Sequence, residues 1–119
     1  MMKDLPLWDG TPYPDFVRTL PEIDIPVEGV RGWLLQGANQ QVVFFDLPKG
    51  LAIPEHSHGE QWGMVIAGKI DLTIGGETKT YGPGDYYHIP AGTPHSALFL
   101  ERSAAMDYFA DADRYVPKK

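Results

Sequence analysis

The sequence predicts an all-β domain of eight or nine short strands, arranged as a sandwich or a barrel. The 119-residue chain contains 13 glycines and 11 prolines, and breakers this frequent disfavour long helices and favour short strands joined by turns. Between residues 30 and 109, short apolar stretches alternate with turn residues at close spacing, which is typical of sandwiches and barrels. The length fits a single domain with one core.

The clearest strand signal is the alternation of Ile70, Leu72 and Ile74 with polar residues, because a period of two predicts a strand with one buried face. Gly75 and Gly76 follow it and predict a tight hairpin turn. Further strands are predicted at residues 30–36, 41–47, 61–67, 77–81, 85–89, 95–101 and 104–109.

The two ends of the chain carry weaker patterns. Five prolines within residues 1–29 predict an irregular N-terminal arm with at most a short helical turn at residues 16–20. Trp8, Tyr13 and Phe16 make this arm apolar, so we expect it to pack on the barrel or on a partner subunit. The barrel should occupy residues 30–119 and end in a polar C-terminal tail, whose last ten residues are expected to be loose.

Composition excludes several classes of protein. The net charge is −6 and the 10 lysines and arginines are scattered, which disfavours nucleic-acid binding. The absence of cysteine excludes disulfides, thiolate zinc sites and a cysteine nucleophile. The longest uncharged stretch, residues 86–100, is broken by prolines and is shorter than the ~20 residues that a membrane span needs. With no secretion signal at its start, the chain is expected to be cytoplasmic, with no membrane partner.

Three histidines form a candidate metal site. His56 and His58 lie two residues apart at a predicted strand end, a spacing that places both side chains on one face. His95 opens a later strand and supplies a third imidazole if that strand lies beside the first. Three imidazoles and one oxygen ligand suit a divalent transition metal, and Zn, Ni, Mn and Fe are all compatible with them.

The residues around these histidines resemble two motifs of the cupin superfamily. In the first, Gly50 is followed after five residues by His56 and His58, and Gly68 closes the motif seven residues after Gln61.

In the second motif, Gly84 is followed after five residues by Pro90, Gly92 and then His95. Together the motifs resemble small single-domain cupins of the RmlC-like kind. This resemblance implies a double-stranded β-helix, or jelly-roll barrel, that binds one divalent metal near its mouth through His56, His58, Gln61 and His95.

The sequence departs from the cupin pattern at the fourth ligand. Gln61 stands where the family usually has Glu, the gap before it is shortened, and Phe99 replaces the Asn that ends the second motif. A neutral amide leaves the metal its full charge and favours Lewis-acid chemistry over redox chemistry. Strand alternation points Gln61 inward and Glu60 outward, whereas a bulge would reverse these directions. Both residues therefore remain candidates for the fourth metal ligand.

Asp107 is a candidate catalytic residue, because an acid within an apolar strand is costly unless it is paired or serves chemistry. It is either a general acid or base near the metal, or a mouth residue that is solvated or bonded to Arg102 or a turn amide.

A narrower resemblance concerns cupins that linearise ring-form unsaturated uronates, in which an Asp-x-Phe strand precedes an Arg. It implies substrate-binding roles for Phe109 and Arg114 and a catalytic role for Asp107. Tyr87 and His88 are further candidate substrate-binding residues. His88 either lines the pocket or is a hydrogen-bonded surface or interior histidine.

The predicted function is that of a metal-dependent enzyme, an isomerase or lyase acting on a small polar molecule such as a sugar acid or keto acid. The alternatives are an iron-dependent dioxygenase, a small-molecule-binding cupin without turnover, and a metal-free barrel. Trp62 alternates with the inward Gln61, which predicts an outward position at the interface of a homodimer.

Overall fold

A computed structural model describes residues 11–119 and confirms the all-β jelly-roll prediction. Within these residues there is one helix, α1 (Asp15–Arg18). No helix in this described range is long and apolar enough to cross a membrane. The strands are β1 (Arg31–Gln36), β2 (Gln41–Leu47), β3 (Ala52–His56), β4 (Gln61–Ala67), β5 (Ile70–Ile74), β6 (Glu77–Tyr81), β7 (Tyr86–Ile89), β8 (His95–Phe99) and β9 (Ser103–Phe109).

The strands form two antiparallel sheets that enclose the core. One sheet has the order β1-β2-β9-β4-β7 and the other has the order β3-β8-β5-β6. Pairings such as β2 with β9 and β3 with β8 join strands far apart in the sequence, as a jelly roll requires. Alternate residues of each strand face inward, and Val43, Phe45 and Val65 are examples of this buried set.

Strand β3 was absent from the predicted strands, although the histidines were placed at a strand end. Pro54 and Glu55 interrupt its apolar pattern, and its pairing with β8 is irregular between Ile53 and His56. Because β3 lies at the edge of its sheet, Pro54 is tolerated there without breaking a central hydrogen-bond ladder.

Residues 11–20 of the N-terminal arm pack on the outer face of the larger sheet, whereas Ile23 and Ile25, later in the arm, pack with the main core. Tyr13 is 4% exposed, and its hydroxyl donates a hydrogen bond to the carbonyl oxygen of Phe45 at 2.7 Å. Its ring contacts Trp33 and Phe44 edge-on. Phe16, expected to pack on the barrel or on a partner subunit, does not pack on the barrel, because it lies on α1 with 77% exposure. Trp8 lies outside the described residues.

The last ten residues are packed against the barrel, so the expectation that they are loose was wrong. Tyr115 contacts the rings of Phe45 and Phe109 in the core. Gln41, which is 1% exposed, bonds to both the backbone nitrogen and the backbone carbonyl of Tyr115. This segment thereby brings Arg114 to the end of the barrel that carries the histidines. Because Tyr115 is the one aromatic residue in this segment and belongs to no periodic apolar pattern, its packing was not predicted from the sequence.

Candidate metal centre and adjoining cavity

Three histidines converge from three different elements. His56 ends β3, His95 begins β8 and pairs with His56 across the sheet, and His58 lies in the loop between β3 and β4. One ring nitrogen from each lies within 4.8 Å of the others. The cluster is the one predicted, but His58 reaches it from a loop, so strand alternation is not what brings His56 and His58 together.

Backbone carbonyl groups determine which ring nitrogens face inward. The Nδ1 atoms of His56, His58 and His95 lie 2.9, 2.8 and 2.9 Å from the carbonyl oxygens of residues 54, 59 and 93. Since a carbonyl oxygen only accepts, each neutral imidazole carries its proton on Nδ1 and presents a lone pair on Nε2. All three histidines are therefore held in the tautomer that binds metal through Nε2.

The cluster fits a divalent metal ion. The Nε2 atoms of His58 and His95 are 3.1 Å apart, close to the ~3 Å between two nitrogens at right angles on an ion about 2.1 Å from each. Burial, and then the neighbouring positive charges of Arg114 and the other histidines, lowers the pKa values of His58 and His95. Both rings are therefore neutral near pH 7, which is the form that binds metal.

The two candidates for the fourth ligand lie on opposite faces of the sheet. Gln61 is 9% exposed and lines the cavity beside the histidines. Its amide nitrogen donates to Asp107 Oδ1 at 2.9 Å, so the carbonyl oxygen is the amide atom not engaged by this bond. Glu60 lies on the outer side with His88. Among residues 11–119, the group of possible charged or imidazole ligands consists of the three histidines alone.

Asp107 lies inside the barrel, 4% exposed, in the cavity that the histidines line. Its Oδ1 accepts hydrogen bonds from Tyr87 Oη at 2.7 Å and from Gln61 Nε2 at 2.9 Å. Burial raises the pKa of Asp107 to about 6, although these two bonds oppose the rise. Arg102, the alternative partner, instead forms an ion pair with Asp46.

The close packing around Asp107 requires a glycine on the neighbouring strand. Gly63 lies directly opposite Asp107 in the β4–β9 pairing and opposite Tyr87 in the β4–β7 pairing. A Cβ atom at Gly63 would lie 2.1 Å from Asp107 Oδ1 and 2.4 Å from the Tyr87 ring. The hydrogen bond between Tyr87 and Asp107 therefore requires a residue without a side chain at position 63.

A cavity of about 110 Å³ joins these groups between the two sheets. Phe109 borders it and meets the ring of His58 edge-on at 5.6 Å. Arg114 also lines it, with its guanidinium group 5.0 Å above the Tyr115 ring. Among the described residues, Arg114 Nε is buried and has no hydrogen-bond partner, so it is available to a ligand.

His88 lies outside this cavity and is removed from the candidate substrate-binding residues. It is opposite Trp62 in the β4–β7 pairing, and strand alternation places both on the outer face, where Trp62 stacks against Tyr86 with ring centroids 6.0 Å apart. The His88 side chain is half exposed and forms an ion pair with Glu60 when protonated.

Asp111 supports the site, and the sequence analysis did not identify it. Its Oδ2 accepts a hydrogen bond from the Gly59 amide at 2.9 Å and lies 4.0 Å from His58 Nδ1. A Cβ atom at Gly59 would lie 2.3 Å from Asp111 Oδ1. The His58 carbonyl is bonded to the Gly92 amide at 2.9 Å. These contacts hold the His58 loop from both sides. The sequence did not predict this role for Asp111, because an acid in a polar segment is not distinctive.

Comparison with protein families assigns the chain once this geometry is known. The model of the cupin domain family matches residues 43–106, which is more than half of the chain. The chain belongs to the cupin family.

Solved structures with the same fold include KdgF from Halomonas sp., which is 25% identical with a TM-score of 0.69 over 77% of this chain and 86% of that one. An RmlC-like cupin from Shewanella frigidimarina is 23% identical with a TM-score of 0.71 over 79% and 86% of the two chains. Quercetin 2,3-dioxygenase from Bacillus subtilis is a curated relative, 43% identical over 58 residues, which are 47% of this cupin and only 17% of that protein.

Replacing Asp111 by Ala should weaken metal binding. The substitution removes the acceptor for Gly59 and frees the His58 loop, and loss of such an outer partner lowers metal affinity roughly 10- to 100-fold. Competition with a chromogenic chelator measures the affinity for zinc. Asp113→Ala is the matched control, an exposed acid two residues away, and should leave the affinity unchanged. Equal affinities for Asp111→Ala and the unmodified protein would contradict the role of Asp111.

Replacing Asp107 by Asn should change the dependence of stability on pH. The folded state of the unmodified protein binds this proton more tightly than the unfolded state, so its stability falls as pH rises from about 4 to above 6. The rise in pKa to about 6 corresponds to about 3 kcal/mol once the pH exceeds the folded pKa. Asn accepts the same bonds without charge, so Asp107→Asn should gain stability relative to the unmodified protein between pH 4 and pH 7.

Urea unfolding of both proteins with a chelator present measures this gain, and Asp113→Asn serves as the exposed control. If the free energies of unfolding of Asp107→Asn and of the unmodified protein differed by the same amount at pH 4 and at pH 7, that result would refute the raised pKa of Asp107.

Proposed function

We propose that this cupin is a metal-dependent enzyme that isomerises or cleaves a small molecule bearing carboxylate or carbonyl oxygens. The observation that carries the proposal is the position of Asp107. A buried carboxyl group with a raised pKa faces the same cavity as three imidazoles whose Nε2 atoms are free to bind metal. Such a pairing of an acid with a metal site is typical of catalytic centres.

In this proposal His56, His58 and His95 hold one divalent ion, with Gln61 as the fourth ligand. When bound, the ion supplies Lewis-acid polarisation of a carbonyl oxygen. Zn, Ni, Mn and Fe all suit imidazole ligands. Bacillus subtilis oxalate decarboxylase, a protein with Mn(II) centres, shares the fold at 25% identity and a TM-score of 0.66, over 76% of this chain and 28% of that one.

Asp107 would move the proton. With a pKa of about 6, it is mainly a carboxylate at pH 7 and can take a proton from the carbon next to a polarised carbonyl. The resulting acid returns the proton to another atom of the substrate, so an isomerisation leaves the atom count unchanged. The bonds from Tyr87 and Gln61 hold the carboxylate in one orientation throughout.

Arg114 would bind a substrate carboxylate. Its Nε donor has no partner among the described residues, and a guanidinium group matches a carboxylate with two parallel bonds. Phe109 and Tyr87 would pack against the substrate from the same side of the cavity. The resemblance of the strand with Asp107 and Phe109 to that of uronate-linearising cupins supports an acidic substrate such as a sugar acid or keto acid.

A dioxygenase is the second candidate. The curated relative that is 43% identical over 58 residues is a quercetin 2,3-dioxygenase, and three imidazoles also suit iron. Oxygen consumption separates this candidate from the isomerase, because isomerisation consumes no oxygen.

The test compares the unmodified protein, a His56→Ala/His95→Ala variant and Asp107→Asn. Each is loaded with zinc, manganese or iron and assayed with unsaturated uronates and 2-oxo acids, with an oxygen electrode in the same cell. The double histidine variant should lose metal and turnover together. Asp107→Asn should keep metal and ligand binding but lose turnover by roughly 10²- to 10⁴-fold, because it lacks the proton carrier.

Three outcomes would count against the proposal. Failure of the unmodified protein to bind any of the metals would remove it altogether. Full turnover by Asp107→Asn would remove the role of Asp107. Oxygen uptake that depends on iron would favour the dioxygenase, and ligand binding without turnover would favour a binding cupin.

We also propose that the outer face of the larger sheet binds a second copy of this chain. The arm covers the part of this face near Trp33, whereas a shallow apolar groove remains between Val42, Trp62, Met106 and Tyr108. The groove is lined by no charged group, and the paired side chains of Glu60 and His88 lie beside Trp62. A two-fold axis through the groove would bury the same apolar patch of both copies against each other and leave this polar pair at the rim, which is the arrangement typical of a closed dimer.

Light scattering during gel filtration tests this association. The unmodified protein should be a dimer and Trp62→Glu a monomer that still binds metal, because a buried charge at the centre of an interface is costly. Phe16→Glu, at an exposed aromatic on α1, is the control and should remain dimeric. A monomeric unmodified protein, or a dimeric Trp62→Glu variant, would contradict the proposal.

A further inference from the structure

The polar groups that line the cavity are confined to the end that carries the histidines. Inward-facing positions form rows along the two sheets, and the first row holds His95 on one sheet and Gln61 on the other. Asp107 and Tyr87 occupy the second row of the larger sheet. Arg114 and Ser96 adjoin the same end.

Beyond these rows the cavity wall is apolar except for Tyr115, whose ring contacts both Phe109 and Phe45. On β8 the inward residues after His95 are Ala97 and Phe99, and on β5 they are Leu72 and Ile70, paired with them in register. On the larger sheet the residues that line the cavity in the row beyond Asp107 are Ala105 and Phe45. The remaining residues that line this deep part are Ile25, Val30, Leu47 and Ile53.

This division limits which molecules the cavity can accept. A hydroxyl group placed beside Ala97, Leu72 and Phe99 would meet no side-chain donor or acceptor, and an unpaired buried polar group lowers affinity roughly 10- to 100-fold. A methylene group in the same place is transferred from water to apolar surroundings, which raises the affinity of the ligand about fourfold. The deep part therefore favours carbon chains over polyols.

We propose that the substrate is a carboxylate or 2-oxo acid with a short apolar body, whose oxygens face the histidines and whose body enters the barrel past Ala97 and Leu72. This inference rests on the proposed function and chooses the keto-acid class over the polyhydroxylated sugar acids. The body is small, because a cavity of about 150 Å³ accommodates benzene and this cavity is about 110 Å³.

Titration calorimetry on the zinc-loaded protein tests the inference with straight-chain 2-oxo acids of three to six carbons and with galacturonate. Affinity should rise about fourfold for each added CH₂ group until the cavity is filled. Galacturonate should bind at least tenfold more weakly than the best oxo acid.

Two substitutions in the deep part should shift the preferred chain length in opposite directions. Ala97→Leu reduces the cavity and should move the optimum to a shorter acid, whereas Leu72→Ala enlarges it and should move the optimum to a longer one. Opposite shifts do not result from a general loss of folding. Leu98→Ala, at a 42% exposed position next to Ala97, is the control and should leave the chain-length profile unchanged.

The outcomes separate this inference from the proposed function. A protein that binds neither zinc nor any of the other tested metals contradicts the proposed function. A protein that binds zinc but shows no gain with chain length, or prefers galacturonate to every oxo acid, overturns the inference about substrate class and leaves the metal site intact.

Discussion

The pairing of β9 with both β2 and β4 is the constraint on which the rest of the site depends. β9 is the central strand of the larger sheet and joins strands that come from distant parts of the chain. Its register places Asp107 opposite Gly63 and Phe109 opposite Gln61. Once these pairs form, alternation leaves the carboxyl group no position except the barrel interior. The bonds from Tyr87 and Gln61 then follow from the same sheet.

The cost of burying Asp107 is the clearest sign that this interior serves more than stability. Burial raises its pKa although two hydrogen bonds oppose the rise, and a volume-matched apolar residue would avoid the desolvation of a charge. The cleft around it combines the properties of catalytic centres, namely a titratable group, convergent imidazoles and a donor in Arg114 without a protein partner. The same sheets form an apolar wall deeper in the barrel, so one fold places polar and titratable side chains at one end of the cavity and apolar side chains at the other.

The orientation of the histidines depends on short backbone contacts rather than on other side chains. Each Nδ1 faces a carbonyl oxygen within two residues of its own position, so the metal-binding tautomer is established locally. The longer-range contact is the Asp111 carboxylate on the His58 loop. It comes from the segment after β9, so closure of the barrel and the position of this ligand are coupled.

The sequence by itself determined the fold class, the cupin motifs and the three histidines, and it favoured Gln61 over Glu60 at the inward position, because period-two alternation and motif spacing are local properties of the chain. It also identified Asp107, since one acid in an apolar strand is conspicuous. Only the tertiary structure decided that His88 faces outward, that the C-terminal segment packs on the barrel, that Asp111 holds the His58 loop and that the deep cavity is apolar. Each of these depends on strand register or on contacts between residues far apart in the chain, and neither periodicity nor composition encodes such contacts.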